Sequence, residues 1–432
     1  MQKQKNNEYY NSISRNLDND TYDLLSYTVN DILYNYSDHH VANKNRLREG
    51  FRNSLKKQII KCFRFLIFLK NTLLSRKNIS TTIMSNAYVN VNLYGANIVL
   101  PPWIFSPKGK GAYSFGIYVV IENINKELSK RSIKILMSNE FKLLLSEFEK
   151  ELIKLFSDYK VGALVVPNDI AFLENLSIKI AKKHNIPSFV YLHGLPARYN
   201  NIDDNRAQYL VVWGSGLKKE YINAGVDEKK ILTLKHPAYS NFQKGKLESS
   251  FDNVLVLTKA ISGVPCISTE IVLPKRSVLL YYLELVKGNL MKLGVTKAKL
   301  RLHPSELKSF YDDNLPDDFF IIDESSINDA LTNASLVLGP TSTMVLDAIN
   351  AGKNYILFDP IFDGLTLEGM PLVKPFTGES FIKLSNSIEE IKNNTYNPSE
   401  NIDFNKLNAF FEVDEDDASK FCQIANIKPN KE

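Results

Sequence analysis

Cysteine is scarce in this chain: three in 432 residues, Cys62, Cys266 and Cys422, far apart and without a CxxC spacing. That excludes a disulfide framework and a structural zinc site, and it fits a reducing compartment. The six histidines are scattered and form no HExxH pair. His39 and His40 are adjacent, so on a helix they would point in different directions and read as surface residues. No apolar run reaches the ~18 residues of a spanning helix. The opening MQKQKNNEYYNS lacks the apolar core of a secretory signal. The expected location is therefore the cytoplasm, with a peripheral place on the inner face of the membrane considered below. A net charge of +5 is too small to imply nucleic acid as a partner. No acidic pair stands at a strand end: Asp203-Asp204 and Asp312-Asp313 fall in polar loops. No metal or other cofactor is expected.

What remains is an ordinary globular composition, 44% hydrophobic and 23% charged. The length suits two domains, each with its own core. The most informative stretch runs from Lys299 to Pro360. A short alternating run, 298–302, ends in His303-Pro304. An apolar run, 336–338, ends in Gly339-Pro340-Thr341-Ser342-Thr343. A helical pattern follows (Met344, Val345, Leu346, Ala348, Ile349), stopped at Ala351-Gly352, and a third run, 355–358, ends in Asp359-Pro360. Strand, loop and helix repeat, with polar residues at the carboxyl ends of the strands, where open α/β sheets bind ligands.

The chemistry suggested is nucleotide binding. Thr341, Ser342 and Thr343 place hydroxyls beside the unpaired amides that open a helix, an arrangement suited to a phosphate. Pro304 offers a rigid ring without an N–H, against which a base can lie. His303 can donate to a phosphate oxygen or a leaving group. The plainer reading is a strand end followed by an N-cap at Thr341 or Ser342.

These two motifs resemble the His-Pro motif and the following Ser/Thr motif of bacterial GT-B glycosyltransferases that use CMP-activated sugars, the transferases of sialic acid, Kdo and related nonulosonic acids in capsule, O-antigen and lipopolysaccharide biosynthesis. The resemblance covers roughly residues 160 to 360. It implies that His303 and Pro304 contact cytidine monophosphate and that Ser342 and Thr343 hold its phosphate. It also implies a GT-B fold: α/β, two Rossmann-like domains facing a central cleft, here with a helical N-terminal extension. The implied partners are a nucleotide-sugar donor and a glycan or glycolipid acceptor, a lipid-linked surface polysaccharide. A CDP-polyol phosphotransferase of teichoic-acid type, which carries a similar His-Pro, and a non-catalytic nucleotide-binding assembly subunit are the alternatives.

The rest of the chain divides accordingly: an extension at 1–79, an acceptor domain at 80–240, a nucleotide-sugar domain at 250–400 and a tail at 401–432. Within the extension, residues 44–77 hold eleven Lys and Arg against one acid, Glu49, a net +10, interleaved with CFRFLIFLKNTLL. That reads as a basic helix, either lying on an anionic membrane or packed on the domain with its charges in water. From about 80 to 125 the pattern is β-like, broken by a loop at Lys108-Gly109-Lys110-Gly111 that lacks P-loop spacing. Residues 133–236 read as a βα series beginning with a strand at IKILM. Asp169 follows one strand and is placed to deprotonate an acceptor hydroxyl, to attack as a nucleophile, or only to cap the next helix. His193-Gly194 follows another strand and suggests cleft contact, or a histidine satisfied by backbone. Arg198 and Arg206 follow in a polar loop and can meet a carboxylate or phosphate. His236-Pro237, before the linker, is a weaker site. In the second domain Thr258, Lys259, Ser262 and Gly263 follow the first strand as donor contacts. Asp347, one turn after Thr343, can reach a ribose or simply be solvated.

Overall fold

A computed structural model describes residues 24–25, 28–29, 62–69, 81–87, 97–105, 111–196, 199, 201, 204–259, 276–304, 306, 308–315, 318–358, 361–362, 365–366 and 381–427. Two six-stranded sheets, each wholly parallel, organise the chain. The first is built from β1 (Thr82–Ser85), β2 (Asn97–Val99), β3 (Val161–Val166), β4 (Ser188–Tyr191), β5 (Tyr209–Val212) and β6 (Ile231–Thr233), in the order β2-β1-β3-β4-β5-β6. The second is built from β7 (Val254–Leu257), β8 (Ala298–Arg301), β9 (Phe320–Ile322), β10 (Leu336–Gly339), β11 (Tyr355–Phe358) and β14 (Leu384–Ser385). Its order is β14-β11-β10-β7-β8-β9; a short antiparallel pair, β12 (Ile361–Phe362) with β13 (Leu365–Thr366), stands apart.

Numbered from β7, the second sheet has the order 3-2-1-4-5-6 of dinucleotide-binding sheets, whose crevice opens between strands 1 and 4. The crevice therefore lies at the carboxyl ends of β7 and β10. The first sheet has the flavodoxin-like order 2-1-3-4-5, which opens its crevice between β1 and β3. Both crevices arise because successive crossover helices go to opposite faces there. This is the two-Rossmann-domain α/β plan expected of a GT-B protein.

Strand composition follows from burial on both faces. In β7, Val254 and Val256 enter one apolar cluster, with Leu336, Leu338, Ile356 and Phe358. Leu255 and Leu257 enter the other, with Val337, Tyr355 and Leu357. The alternation of Cβ directions along each strand feeds two cores at once. Helices start at polar caps: Ser114 receives the Ile117 amide, Ser138 receives that of Phe141, and Ser387 with Glu390 forms a capping box.

Two elements differ from the sequence reading. IKILM is a short helix, Ile133–Leu136, not a strand. It follows Arg131 in the left-handed region (φ 49°), and the inner strand β1 already has β2 and β3 on its two sides, so tertiary pairing overrides β propensity. Residues 115–129, within the stretch read as β-like, form a helix, Phe115–Ser129, burying Ile117, Val120, Ile121 and Ile124 at helical spacing. TIMS, in the same β-like stretch, is the inner strand β1, as that reading expects, and lies fully buried.

The tail returns to the first sheet. Asp414 caps Glu415–Ile424, and Asp417, 1% exposed, accepts from the amide (2.8 Å) and hydroxyl (3.0 Å) of Thr233 in β6 and from Lys420 (2.9 Å). Replacing this carboxylate would strand two buried donors. Asp417→Ala is expected to cost about 1–3 kcal/mol, read as a lower urea midpoint with unchanged slope.

Candidate functional site

The carboxyl ends of the two sheets meet. At Gly194, just past β4, a Cβ would lie 3.1 Å from Thr343 Oγ1, and the next amide, Leu195, donates to that oxygen at 3.0 Å. Thr343 adjoins the helix Met344–Asn350, which is gripped again further along. Tyr239 Oη donates to Asp347 Oδ1 (2.7 Å) and Asn350 Nδ2 donates to the Ala238 carbonyl (2.7 Å). Asp347 is thus a tie to the interdomain linker rather than a solvated or ribose-facing acid. The Tyr239 ring stacks on His236 at 4.4 Å, and Trp213 lies 4.5 Å from the same imidazole. His236 is built into this aromatic packing, and burial pushes its imidazole down to about 4.

The loop after β10 passes through a tight place. A Cβ at Gly339 would lie 2.8 Å from Tyr355 Oη and 2.9 Å from Leu257 Cβ, so glycine alone lets β10 run against β7 there. Thr341 is buried, while Ser342 and Thr343 are partly open. Ser342 Oγ accepts from the Met344 amide (3.2 Å). Thr343 makes no cap bond of its own.

On the β7 side of the crevice stand Thr258 and Lys259. Thr258 Oγ1 accepts from the His303 amide (2.9 Å) and donates to Glu306 Oε2. Glu306 also accepts from the His303 amide (3.0 Å) and from Tyr311 Oη. Thr258 is therefore a brace of the His303-Pro304 loop rather than an open ligand contact, and Glu306 is the hub of that brace. The loop is held from below, which leaves His303 and Pro304 at the surface. Burial pushes Lys259 down to about 8. Surrounding protein, then the charges of Lys259 and His193, hold the His303 imidazole below its ordinary value. Lys259 at the end of β7 and His193 at the end of β4, in the other domain, thus both act on His303 at the end of β8.

His193 is exposed, with Nδ1 2.8 Å from the Pro167 carbonyl. A carbonyl only accepts, so Nδ1 carries the proton and Nε2 of the neutral ring keeps its lone pair. Backbone satisfies one ring nitrogen, as one reading of this residue had it, but the ring is exposed rather than buried.

Asp169 and Arg206 are otherwise placed. Asp169 is 0% exposed. Its carboxylate accepts from the amides of Asp204 (2.9 Å) and Arg206 (2.7 Å) and from the Arg206 guanidinium (3.2 Å). It is neither presented to an acceptor hydroxyl nor a helix cap; Asn168 supplies the turn, accepting from the Ala171 amide (3.0 Å). Arg206 is turned inward by the same bond and is not presented to an acceptor. The pair fastens the loop entering β5 to the end of β3. Arg198, Ser262, Gly263, Lys108-Gly109-Lys110 and Asp359-Pro360 lie outside the described residues. Among the described residues no group of three or more His, Cys, Asp or Glu is arranged to hold a metal ion.

No protein-family model matches the chain, and no curated protein does. Among solved structures the chain is similar to the apo form of the lipopolysaccharide outer core galactosyltransferase WaaB, at 11% identity over 80% of this chain and 98% of that one, TM-score 0.41. It is similar to UDP-N-acetylglucosamine 2-epimerase from Rickettsia bellii, at 12% over 80% and 95%, TM-score 0.41. It is also similar to Anabaena HepE in complex with UDP, at 11% over 81% and 100%, TM-score 0.40. At such scores these likenesses add nothing to the plan already evident from strand order.

If Asp169 is a brace, Asp169→Asn loosens a loop. Faster hydrogen exchange at the Asp204 and Arg206 amides and a loss of about 1–3 kcal/mol of stability are expected. An unchanged exchange pattern would contradict the role.

Proposed function

We propose that the protein is a metal-independent glycosyltransferase that moves a sugar, Kdo or another nonulosonic acid, from a CMP-activated donor to a lipid-linked surface glycan. The convergence of Lys259, His303 and His193 at the mouth of the β7/β10 crevice carries this reading. The nucleotide lies over Pro304, with its phosphate toward Lys259, His303, Ser342 and Thr343. His193 Nε2 takes the proton of the acceptor hydroxyl. The acceptor oxygen bonds to the anomeric carbon, the bond from that carbon to the phosphate oxygen breaks, and its electron pair leaves with CMP. Lys259 and His303 stabilise the charge gathered on the leaving phosphate, the work a metal does elsewhere.

A thermal-shift panel of CMP, CDP, UMP, UDP and GDP tests the donor class by mass action. CMP is expected to raise the melting temperature in wild type and to lose that effect in His303→Ala. A shift with UDP or GDP alone would discard the donor class, and no shift at all would favour a non-catalytic subunit. Chelator should leave transfer unaffected; rescue of a chelated sample by a divalent ion would overturn metal independence. A phosphate monoester is already doubly charged above about pH 7, so Lys259 governs the pH dependence above that. Charged below about 8 and neutral above it, Lys259 should let CMP bind about 10–100-fold more weakly as pH rises through that value. Lys259→Arg should remove this dependence, because arginine stays charged.

Attachment to an anionic membrane belongs to the same proposal. The described part of the basic extension, residues 62–69, is helical, and Phe63, Phe65 and Leu66 are 50%, 39% and 58% exposed beside Arg64. One face of this helix packs on the first domain, with Phe68 buried against Tyr113 and Tyr118 and Arg64 over Phe105 and 3.8 Å from Glu122; the membrane reading rests on the apolar groups left open, Phe63 and Leu66, as on an interfacial helix. Co-flotation with phosphatidylglycerol vesicles at low salt, reduced by high salt and by Phe63→Glu with Leu66→Glu, is expected. Equal recovery with neutral vesicles would sink it.

A further inference from the structure

The first sheet has its own crevice, between β1 and β3, and the residues around it went unremarked in the sequence. Asn86 follows β1, Trp103 follows β2, and Glu174 opens the helix Phe172–Lys183 that follows β3. Glu174 is 8% exposed. Its Oε1 accepts from Trp103 Nε1 (3.0 Å) and Asn86 Nδ2 (3.2 Å). Because the carboxylate requires a donor from Asn86, the amide orientation is fixed, and the Asn86 oxygen faces away. That oxygen, Oδ1, is buried and has no hydrogen-bond partner. Native folds leave few buried polar atoms unpaired, since each costs its desolvation. Burial also pushes the Glu174 carboxyl above its ordinary value, against three hydrogen bonds that lower it, from its own backbone amide, Trp103 and Asn86.

A carboxylate and an orphaned amide oxygen are both acceptors. Glu174 Oε1 already has two donors; the oxygen left without one is Asn86 Oδ1, and a ligand that donates would supply it. The third member, Trp103, is half-buried, with its indole N–H held by Glu174 and its ring 6.5 Å from Phe148. An aromatic ring beside hydrogen-bond acceptors suits a sugar, whose C–H face lies on the ring while its hydroxyls donate. A peptide or a nucleotide phosphate would bring acceptors of its own against the carboxylate.

We infer that Asn86, Trp103 and Glu174 form a saccharide subsite at the first-sheet crevice, where hydroxyls of the acceptor glycan donate to Asn86 Oδ1 and the Glu174 carboxylate. This rests on the transferase reading and deepens it. β3 alone separates β1 from β4, so the crevice between β1 and β3 lies about one and a half strand spacings, ~7 Å, from the strand that carries His193. A glycan held there directs its terminal hydroxyl along the sheet edge toward Nε2 of that histidine. Glu174 is a positioning residue and takes no proton from the reacting hydroxyl.

The full chain contains two tryptophans, Trp103 and Trp213, and Trp213 is 1% exposed with its N–H bonded to the Leu192 carbonyl. Emission changes on sugar binding therefore report Trp103. Galactose, N-acetylglucosamine, N-acetylneuraminic acid and Kdo are titrated separately into wild type, Trp103→Phe, Asn86→Ala and Glu174→Gln. At least one should give a saturable change in wild type that vanishes in Trp103→Phe and is weakened ten-fold or more in Asn86→Ala and in Glu174→Gln. Glu174→Gln keeps the side-chain volume, which separates a lost ligand contact from a collapsed site. No saturable change with any sugar, or wild-type affinity in both Asn86→Ala and Glu174→Gln, overturns the subsite. CMP thermal shifts on the same samples separate the two readings. A CMP shift without a sugar signal sinks the subsite alone. A sugar signal without a CMP shift sinks the nucleotide reading and leaves the subsite standing.

Discussion

The hydrogen bond from the Leu195 amide to Thr343 Oγ1 at 3.0 Å joins the carboxyl ends of the two sheets where the candidate site lies. It depends on Gly194, whose missing side chain admits Thr343. It also depends on the helix Met344–Asn350 being held at its far end by Ala238 and Tyr239. The helix belongs to the second domain, yet its orientation is set from the first domain and the linker. Everything said of the shared site follows from that fixing, because His193 and His303 come from different sheets.

Around this contact the acids do mechanical work. Asp169 fastens the loop before β5 to the end of β3. Glu306 gathers Thr258, Tyr311 and the His303 amide into one brace. Asp347 ties the second domain to the linker and Asp417 ties the tail to β6. Lys259, His193 and His303, by contrast, stand at the carboxyl ends of strands, with the first two acting on the charge of the third. A buried carboxylate can be satisfied by several amides at once and so makes a good anchor. An imidazole with one nitrogen bonded to backbone keeps the other for chemistry.

Local pattern carried much of the fold. Apolar runs ending in His-Pro, Gly-Pro and Thr-Lys marked β7, β8 and β10 because period and turn chemistry are local properties. The same locality explains the misreadings. Ile133–Leu136 has the composition of a strand, but it follows Arg131 in the left-handed region and closes a turn of helix before the helix Asn139–Asp158 instead. Asp169 has the position of a catalytic base or a cap, but which hydrogen bonds reach it depends on residues 204–206 folding back over β3.

By itself, the sequence determined two α/β domains and the placement of His193, Lys259, His303 and the Thr341–Thr343 hydroxyls at strand ends, since alternation and helical spacing decide where a strand stops. Only the tertiary structure decided which of these side chains are open. Thr258 and Asp347 proved to be occupied, and Asn86, Trp103 and Glu174 came together from distant parts of the chain. Strand order is the physical reason: crevices form where neighbouring crossovers diverge, and the partners that meet there share no spacing along the chain.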